Sequence, residues 1–487
     1  MNAPFCGIHR LRSGGFSGNR RRLSAAVVVA QAGNAHIPLD YGSLPDRRRA
    51  PRWRGSLLQW RSDERKTFYL CSLVLGACAF VSLIYVQEIW GSYAARSSGH
   101  PPPFGDFFAL WSYAKIATAH PAAELYDLAA LHARQVALGM DAAALNPFPY
   151  PPVFILLLCP LGFLPYEIAY LVWSLGTLAL FVWAAAATCS RLPLCLLGLI
   201  VAPASTAAIA SGQSGFLAAA LITAGIRLAG SRPVLGGMLM GLLSYKPQLC
   251  VLLPIALVAA GFWAALCAAC ATAIGLSVGA TLCFGWTVWP AWLSMLGIYS
   301  GMFDRASLLL KLEPTVTAGL QMFGFSPAAA RCAQAFAALA VAIPVWRCFR
   351  RSPDRLATAA LLVGTFLATP HAFVYDLPMV SAALALFIDE RTTAGSQFGL
   401  AEVTILTTAF TFPALMMMAG VNVPVNTVSL ALFFAAILWR SHEADRRTPQ
   451  RGLVQHVAPP VRTDPSAPAA AQNGTAGGPE LLVRNSG

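Results

Sequence analysis

Four stretches of this chain place side chains capable of chemistry inside or beside apolar sequence. The first is Asp106, in Pro101-Pro102-Pro103-Phe104-Gly105-Asp106-Phe107-Phe108-Ala109-Leu110-Trp111. The prolines bar a helix interior, Gly105 lets the backbone turn, and Asp106 then stands where a helix N-cap belongs. A carboxylate held there can take a proton from an acceptor hydroxyl. The plainer account is a cap and nothing more. The second stretch is Gly241-Leu242-Leu243-Ser244-Tyr245-Lys246-Pro247-Gln248, which opens a long charge-free run, 247–303. Pro247 breaks a helix there, so Lys246 and Gln248 sit on a turn that can meet an anion; the plainer account is a lysine snorkelling from a helix end. The third, Thr369-Pro370-His371-Ala372-Phe373-Val374-Tyr375-Asp376-Leu377-Pro378, sets His, Tyr and Asp between prolines in an otherwise apolar region. Ionisable groups at such depth mark function by default, although a lone buried histidine is more often a satisfied core residue. The fourth, Ser211-Gly212-Gln213-Ser214-Gly215, is polar but uncharged and reads equally well as a turn.

An external carboxylate, an intramembrane cation and a polar His/Asp segment form the set needed for group transfer from a lipid phosphate. The carboxylate acts as base, and Lys246 with His371 neutralises charge growing on a departing phosphate. A transporter or flippase for a lipid-linked glycan is the competing reading, because intramembrane Lys and His also suit transport. Against it, the two halves show no matching pair of interrupted helices.

The elements that position these groups follow from composition. Of 487 residues, 57% are hydrophobic and 11% charged, and the mean hydropathy is +0.60. A soluble domain carries about 25% charged residues, so this is a polytopic membrane protein. Apolar stretches centred near 158, 177, 201, 221, 240, 258, 276, 294, 335, 363, 381, 410 and 431 follow a first span at 67–87. Some are half-length, which allows merging or re-entrant elements; about twelve spans, in a range of ten to thirteen, are expected. Residues 1–66 hold thirteen Lys or Arg against Asp40, Asp46, Asp63 and Glu64, a net of +9, whereas 91–150 net −1. The excess of +13 over the whole chain is thus a topology signal rather than a nucleic-acid footprint. It puts the N-terminus in the cytoplasm and 91–150 outside. Within 91–150, Phe107, Leu110, Trp111, Ala114 and Ala117 make one apolar stripe, with Ser112 and Lys115 off it, as in a helix lying on the membrane surface. A second short helix is expected at about 128–140, capped by Glu124-Leu125-Tyr126-Asp127. Segment 304–313 reads as an interfacial loop. The ends, 1–66 and 441–487, read as disordered cytoplasmic tails around a membrane domain at 67–440. Cys267 and Cys270 read as small core side chains.

Gly105-Asp106-Phe107 with Trp111, Leu125-Tyr126-Asp127, Tyr150-Pro151-Pro152, Gly212-Gln213, Lys246-Pro247-Gln248 and Pro370-His371 with Tyr375-Asp376 resemble, in order, the motif series of glycosyltransferase family 87. The resemblance covers roughly 67–440 and implies an all-α, GT-C-type membrane bundle with its active site on the extracytoplasmic face. It implies an inverting hexosyltransferase of the bacterial plasma (inner) membrane that uses a polyprenyl-phosphate sugar, with mannose the sugar of the best-known members. By the same resemblance Asp106 is the general base, and Lys246, Gln248, His371, Tyr375, Asp376 and Gln213 lie around the donor phosphate. The acceptor is a lipid or glycan, the surroundings are membrane lipids, and no nucleic acid or cofactor is expected. A monomer is expected. No D-x-D or E-x-D stands near Asp106, so no metal is expected either.

Overall fold

The computed structural model describes residues 105–189, 198–303, 310–394, 398–419 and 425–455, with Gly76, Ala79, Phe80, Leu83 and Gln87 ahead of them. Those five are helical, within the expected first span; the rest of that span, the segment 1–66 and the chain beyond Gln455 lie outside the described residues. Among the described residues the fold is all helix, with no strand.

The external segment folds first as α1 (Gly105–Ala119), then a 3₁₀ turn (Ala122–Tyr126) and α2 (Leu128–Ala137). Asp127 caps α2 as the sequence predicts, accepting from the backbone N–H of Ala129 and Ala130 at 3.0 and 3.1 Å. The single apolar stripe expected for α1 is a correction. Phe108, Ala109, Tyr113, Ile116 and even Ser112 are buried along with Phe107 and Leu110. Ser112 accepts a hydrogen bond from the buried Gln135 amide at 3.0 Å, and Tyr113 donates to the Pro147 carbonyl at 2.7 Å. The helix is thus roofed by α2 and the loop after it.

Next come α3 (Pro152–Gly162), α4 (Tyr166–Ala186), α5 (Pro203–Ser211), α6 (Gly215–Ala229) and α7 (Pro233–Leu242). Two 3₁₀ turns, Leu243–Tyr245 and Pro247–Cys250, lead to α8 (Leu253–Ala259), α9 (Trp263–Phe284) and α10 (Val288–Phe303). The rest is α11 (Val316–Met322), α12 (Pro327–Arg351), α13 (Arg355–Ala368), α14 (Pro378–Thr393), α15 (Leu400–Ala419) and α16 (Val425–Gln455), with a 3₁₀ turn Val374–Asp376 before α14. The last helix runs on past Arg440 to Gln455, into the stretch read as a tail.

Among the described residues, α4, α9 and α12 are long and apolar enough to cross a membrane. Pro152–Gly162, Gly215–Ala229, Pro233–Tyr245, Pro247–Ala259, Arg355–Ala368 and Leu400–Phe412 are apolar but shorter. A dozen full-length spans is therefore not what the described helices show. Glycine contacts place one group of short helices. A Cβ on Gly237 would stand 2.2 Å from the Ala265 carbonyl oxygen, and one on Gly241 would stand 2.5 Å from that of Ala269. So α7 runs parallel to α9 at backbone contact, the small-residue packing that membrane helices favour. Phe262, just before α9, lies against Gly230 at the end of α6, so α8 returns to the end from which α7 set out. Meanwhile α9 continues to Phe284, roughly 18 Å at 1.5 Å per residue beyond Thr272, which also touches Gly241. The turn between α7 and α8, which carries Lys246, is recessed into the bundle. Cys267 and Cys270 are exposed on α9 rather than in the core, a second correction, because α7 occupies the small-residue face beside them.

Ion pairs fasten the opposite end of the bundle. Arg355 meets Asp389 at 3.3 Å and Glu390 at 3.2 Å, and buried Glu402 joins Arg391 at 3.3 Å and Arg440 at 2.6 Å.

Candidate active site

The site is organised by 211–215, the stretch that reads from sequence as a plain turn. Gly212 ends α5 in the left-handed region, φ 63°, and a Cβ there would come within 2.4 Å of the Phe107 Cβ. Only glycine meets both demands. Trp173 locks the turn by donating to the Gly212 carbonyl at 3.0 Å, and Tyr245 donates to that of Ser214 at 3.2 Å. Gly215 is tighter still: a Cβ would stand 1.7 Å from the Tyr375 carbonyl oxygen. One turn thus touches α1 on one side and the Val374–Asp376 turn on the other. Gly215→Ala is expected to push these apart at an overpacking cost of at least about 1–3 kcal/mol. A melting curve in detergent checks this, and a wild-type midpoint would refute the contact.

Between those glycines, Gln213 reaches Asp106. Gln213 Oε1 accepts from the Tyr150 hydroxyl at 3.2 Å, leaving the amide nitrogen to donate to the Asp106 carboxyl. Tyr150 is itself placed by the Tyr126 hydroxyl on its carbonyl at 2.9 Å and by Phe154, 4.6 Å between ring centroids. Asp106 lies in the first turn of α1 rather than capping it, because Gly105 is already helical. Its side chain is exposed by surface area, yet enough protein surrounds it for desolvation to raise its carboxyl above the ordinary value. Both hold together for a group on a concave wall. The Gln213 hydrogen bond works the other way. Tyr113, Tyr150, Tyr299 and Tyr375 all lie within its electrostatic reach.

Behind Tyr375 sits a closed ion pair. Lys246 Nζ meets Asp376 Oδ1 at 2.7 Å, both side chains all but inaccessible, and the ammonium lies 5.1 Å from the Tyr375 ring centroid. The Phe373 N–H donates to Asp376 Oδ2 at 3.3 Å. So the cation expected to be open to an anion is instead partnered. Gln248 is half-buried in the next 3₁₀ turn and makes no hydrogen bond to these groups.

His371 has 42% of its side chain exposed, and its Nδ1 lies 3.2 Å from Oε1 of buried Glu313. Glu313 lies in a loop before α11, as read from sequence, but it is buried there and was missed as a site residue; residues 304–309 of that loop lie outside the described ones. Tyr299 on α10, in the reach of both Glu313 and Asp106, is the second group that sequence reasoning missed. A lone acid before Pro314 was the available signal for Glu313; nothing in a charge-free run points to Tyr299. Among the described residues no three His, Cys, Asp or Glu side chains gather closely enough to share a metal ion.

The sequence model of glycosyltransferase family 87 matches residues 148–370. That region belongs to glycosyltransferase family 87. The family 87 match takes in Tyr150, Gln213, Lys246, Gln248 and Glu313, stops one residue before His371, and leaves Asp106, Tyr375 and Asp376 outside. No curated protein and no solved structure matches the chain.

Because the Gln213 amide stabilises the charged form of Asp106, Gln213→Leu is expected to raise that carboxyl further. If Asp106 must be ionised to act, the acid limb of the kcat/KM profile moves to higher pH. A limb that stays in place or moves down contradicts this role for Gln213.

Proposed function

We propose that this glycosyltransferase moves a hexose, with mannose the first candidate, from a polyprenyl phosphate to a lipid or glycan acceptor outside the cytoplasm. Asp106 takes the proton from the acceptor hydroxyl. The freed oxygen attacks the anomeric carbon from the face opposite the phosphate, which inverts that centre. The carbon–oxygen bond to phosphate breaks and its electron pair stays on the departing polyprenyl phosphate. His371 offers a charge-capable donor to that group, while Lys246 and Asp376 hold Tyr375 and the turn that walls the cleft.

The observation that supports this best is Asp106 itself, a desolvated carboxyl on a concave wall, oriented by Gln213 and raised toward the pH where a base works well. The distribution of cations supports the outward orientation. Arg227, Arg232, Arg347, Arg350, Arg351, Arg355, Arg391 and Arg440 belong to the helix ends opposite the site, where the positive-inside rule puts the cytoplasm.

Offering purified protein a polyprenyl-phosphate hexose and a nucleotide hexose, each with a membrane-lipid extract, tests the donor. Consumption of the lipid-phosphate sugar alone is expected; use of the nucleotide sugar alone would overturn the proposal. For orientation, Ser97→Cys in a cysteine-free background should react with an impermeant thiol reagent on intact cells. Reaction only after lysis would put the site on the other face.

A further inference from the structure

His371 and Glu313 are brought together by two loops that are far apart in sequence and joined by backbone. The Val374 N–H donates to the Leu312 carbonyl at 2.9 Å, which pins the His371 loop to the residue before Glu313. Thr369 Oγ1 donates to the His371 carbonyl at 3.1 Å, fixing the loop from the other side. The result is asymmetric. Glu313 has 1% of its side chain exposed, whereas the imidazole above it has 42%.

A carboxylate so deeply buried is costly unless a positive partner and a hydrogen bond accompany it. Burial pushes the Glu313 carboxyl up, and the hydrogen bond and charge of His371 oppose that. Tyr299 of α10 lies within the electrostatic reach of both Glu313 and Asp106. A carboxylate that accepts from one ring nitrogen fixes the tautomer and the ring orientation, and it favours the protonated ring.

We propose that Glu313 is the positioning residue of His371: it fixes Nδ1 as a donor, holds the ring cationic, and so makes Nε2–H a charged donor for an anionic ester in the cleft. This rests on the reading above, in which that ester is the donor phosphate. A buried acid beneath the histidine lets the site carry a cation that a neutral cleft would release near neutral pH. The same charge then answers the negative charge that grows as the sugar–phosphate bond breaks.

Diethyl pyrocarbonate reacts with the neutral imidazole, so the pH dependence of modification at each histidine, located by mass spectrometry, reports that ring's titration. The full-length protein in detergent is treated across a pH series as wild type, Glu313→Gln and Glu313→Asp. In wild type, His371 is expected to become reactive about 1 unit or more above N-acetylhistidine treated in the same pH series. In Glu313→Gln, which keeps the shape and an acceptor oxygen but not the charge, the His371 midpoint should fall by about 1–3 units. Glu313→Asp should stay nearer to wild type. The alkaline limb of kcat/KM should move down with the His371 midpoint in Glu313→Gln. Coinciding midpoints for His371 in wild type and N-acetylhistidine, or a His371 midpoint unmoved by Glu313→Gln, would overturn the proposal. The wild-type comparison decides even if Glu313→Gln fails to fold. Because modification is read without turnover, failure to transfer sugar from a lipid phosphate would sink the proposed function and leave this result standing.

Discussion

Asp106→Asn is expected to leave the protein folded and to lower sugar transfer by on the order of 10²–10⁴-fold, the usual cost of removing a general base. Asn matches Asp in shape and still offers an oxygen to the Gln213 amide, so the contact that orients the side chain can persist. The buried neighbours Phe107, Phe108 and Leu110, which hold α1 against α3 and α4, are untouched. What is lost is proton affinity near neutral pH. Melting temperature and donor binding should therefore stay close to wild type while kcat collapses, because the missing interaction develops only in the transition state. A variant with near-normal kcat would reduce Asp106 to a first-turn acid that favours the helix N-terminus.

The second large effect concerns stability. Lys246→Met leaves the Asp376 carboxylate buried without its cation, and removing one partner of a buried pair costs about 3–5 kcal/mol. The Val374–Asp376 turn, against which Gly215 and the Lys246 ammonium both pack, should loosen, and the melting temperature should fall sharply. Lys246→Met with Asp376→Leu removes both charges and should recover most of that loss, since apolar replacements of a buried pair are often neutral. Activity separates structure from chemistry. If the pair only braces the turn, the double variant regains kcat together with its melting temperature. If Lys246 leaves Asp376 to meet the departing phosphate, the double variant melts normally and stays at least tenfold slow. The closed 2.7 Å contact in the described state favours the bracing role. A single variant that melts like wild type would show that Asp376 is not buried as an anion at all.

The helical plan was legible because its signals are local. The charge-free runs and the proline and glycine breaks place the helices from α3 to α16 within about five residues of an expected centre, except α5, α16, which runs on to Gln455, and α11, for which none was expected. Half-length stretches were legible too, but not where the short helices lie: the contact of Gly237 and Gly241 with the α9 backbone, which sets α7 beside α9, shows only in the fold. For α1, the apolar stripe was real but incomplete. Ser112 is polar and lies off the stripe, yet it is buried because Gln135 comes down upon it from α2.

The site shows the same division. Asp106, Lys246, His371 and Asp376 stand out singly, as charges or potential charges in or beside apolar sequence. Their partners do not. Lys246 and Asp376 lie 130 residues apart, and His371 and Glu313 lie 58 apart. Only folding shows that the lysine is already paired and that the histidine has an acid beneath it. Gln213 was the least conspicuous of the expected residues, and it is the one that touches the base.

Whether Asp106 drives transfer from a lipid phosphate is tested most directly by a single-turnover experiment. Excess purified enzyme is mixed with polyprenyl-phosphate [¹⁴C]mannose and a membrane-lipid acceptor extract, and label is followed from donor to acceptor for wild type and Asp106→Asn. Wild type should convert donor to polyprenyl phosphate and labelled acceptor in equal amounts, and Asp106→Asn should bind the donor but leave it intact over the same interval. Equal transfer by both proteins would contradict the account, as would a wild type that leaves the donor untouched.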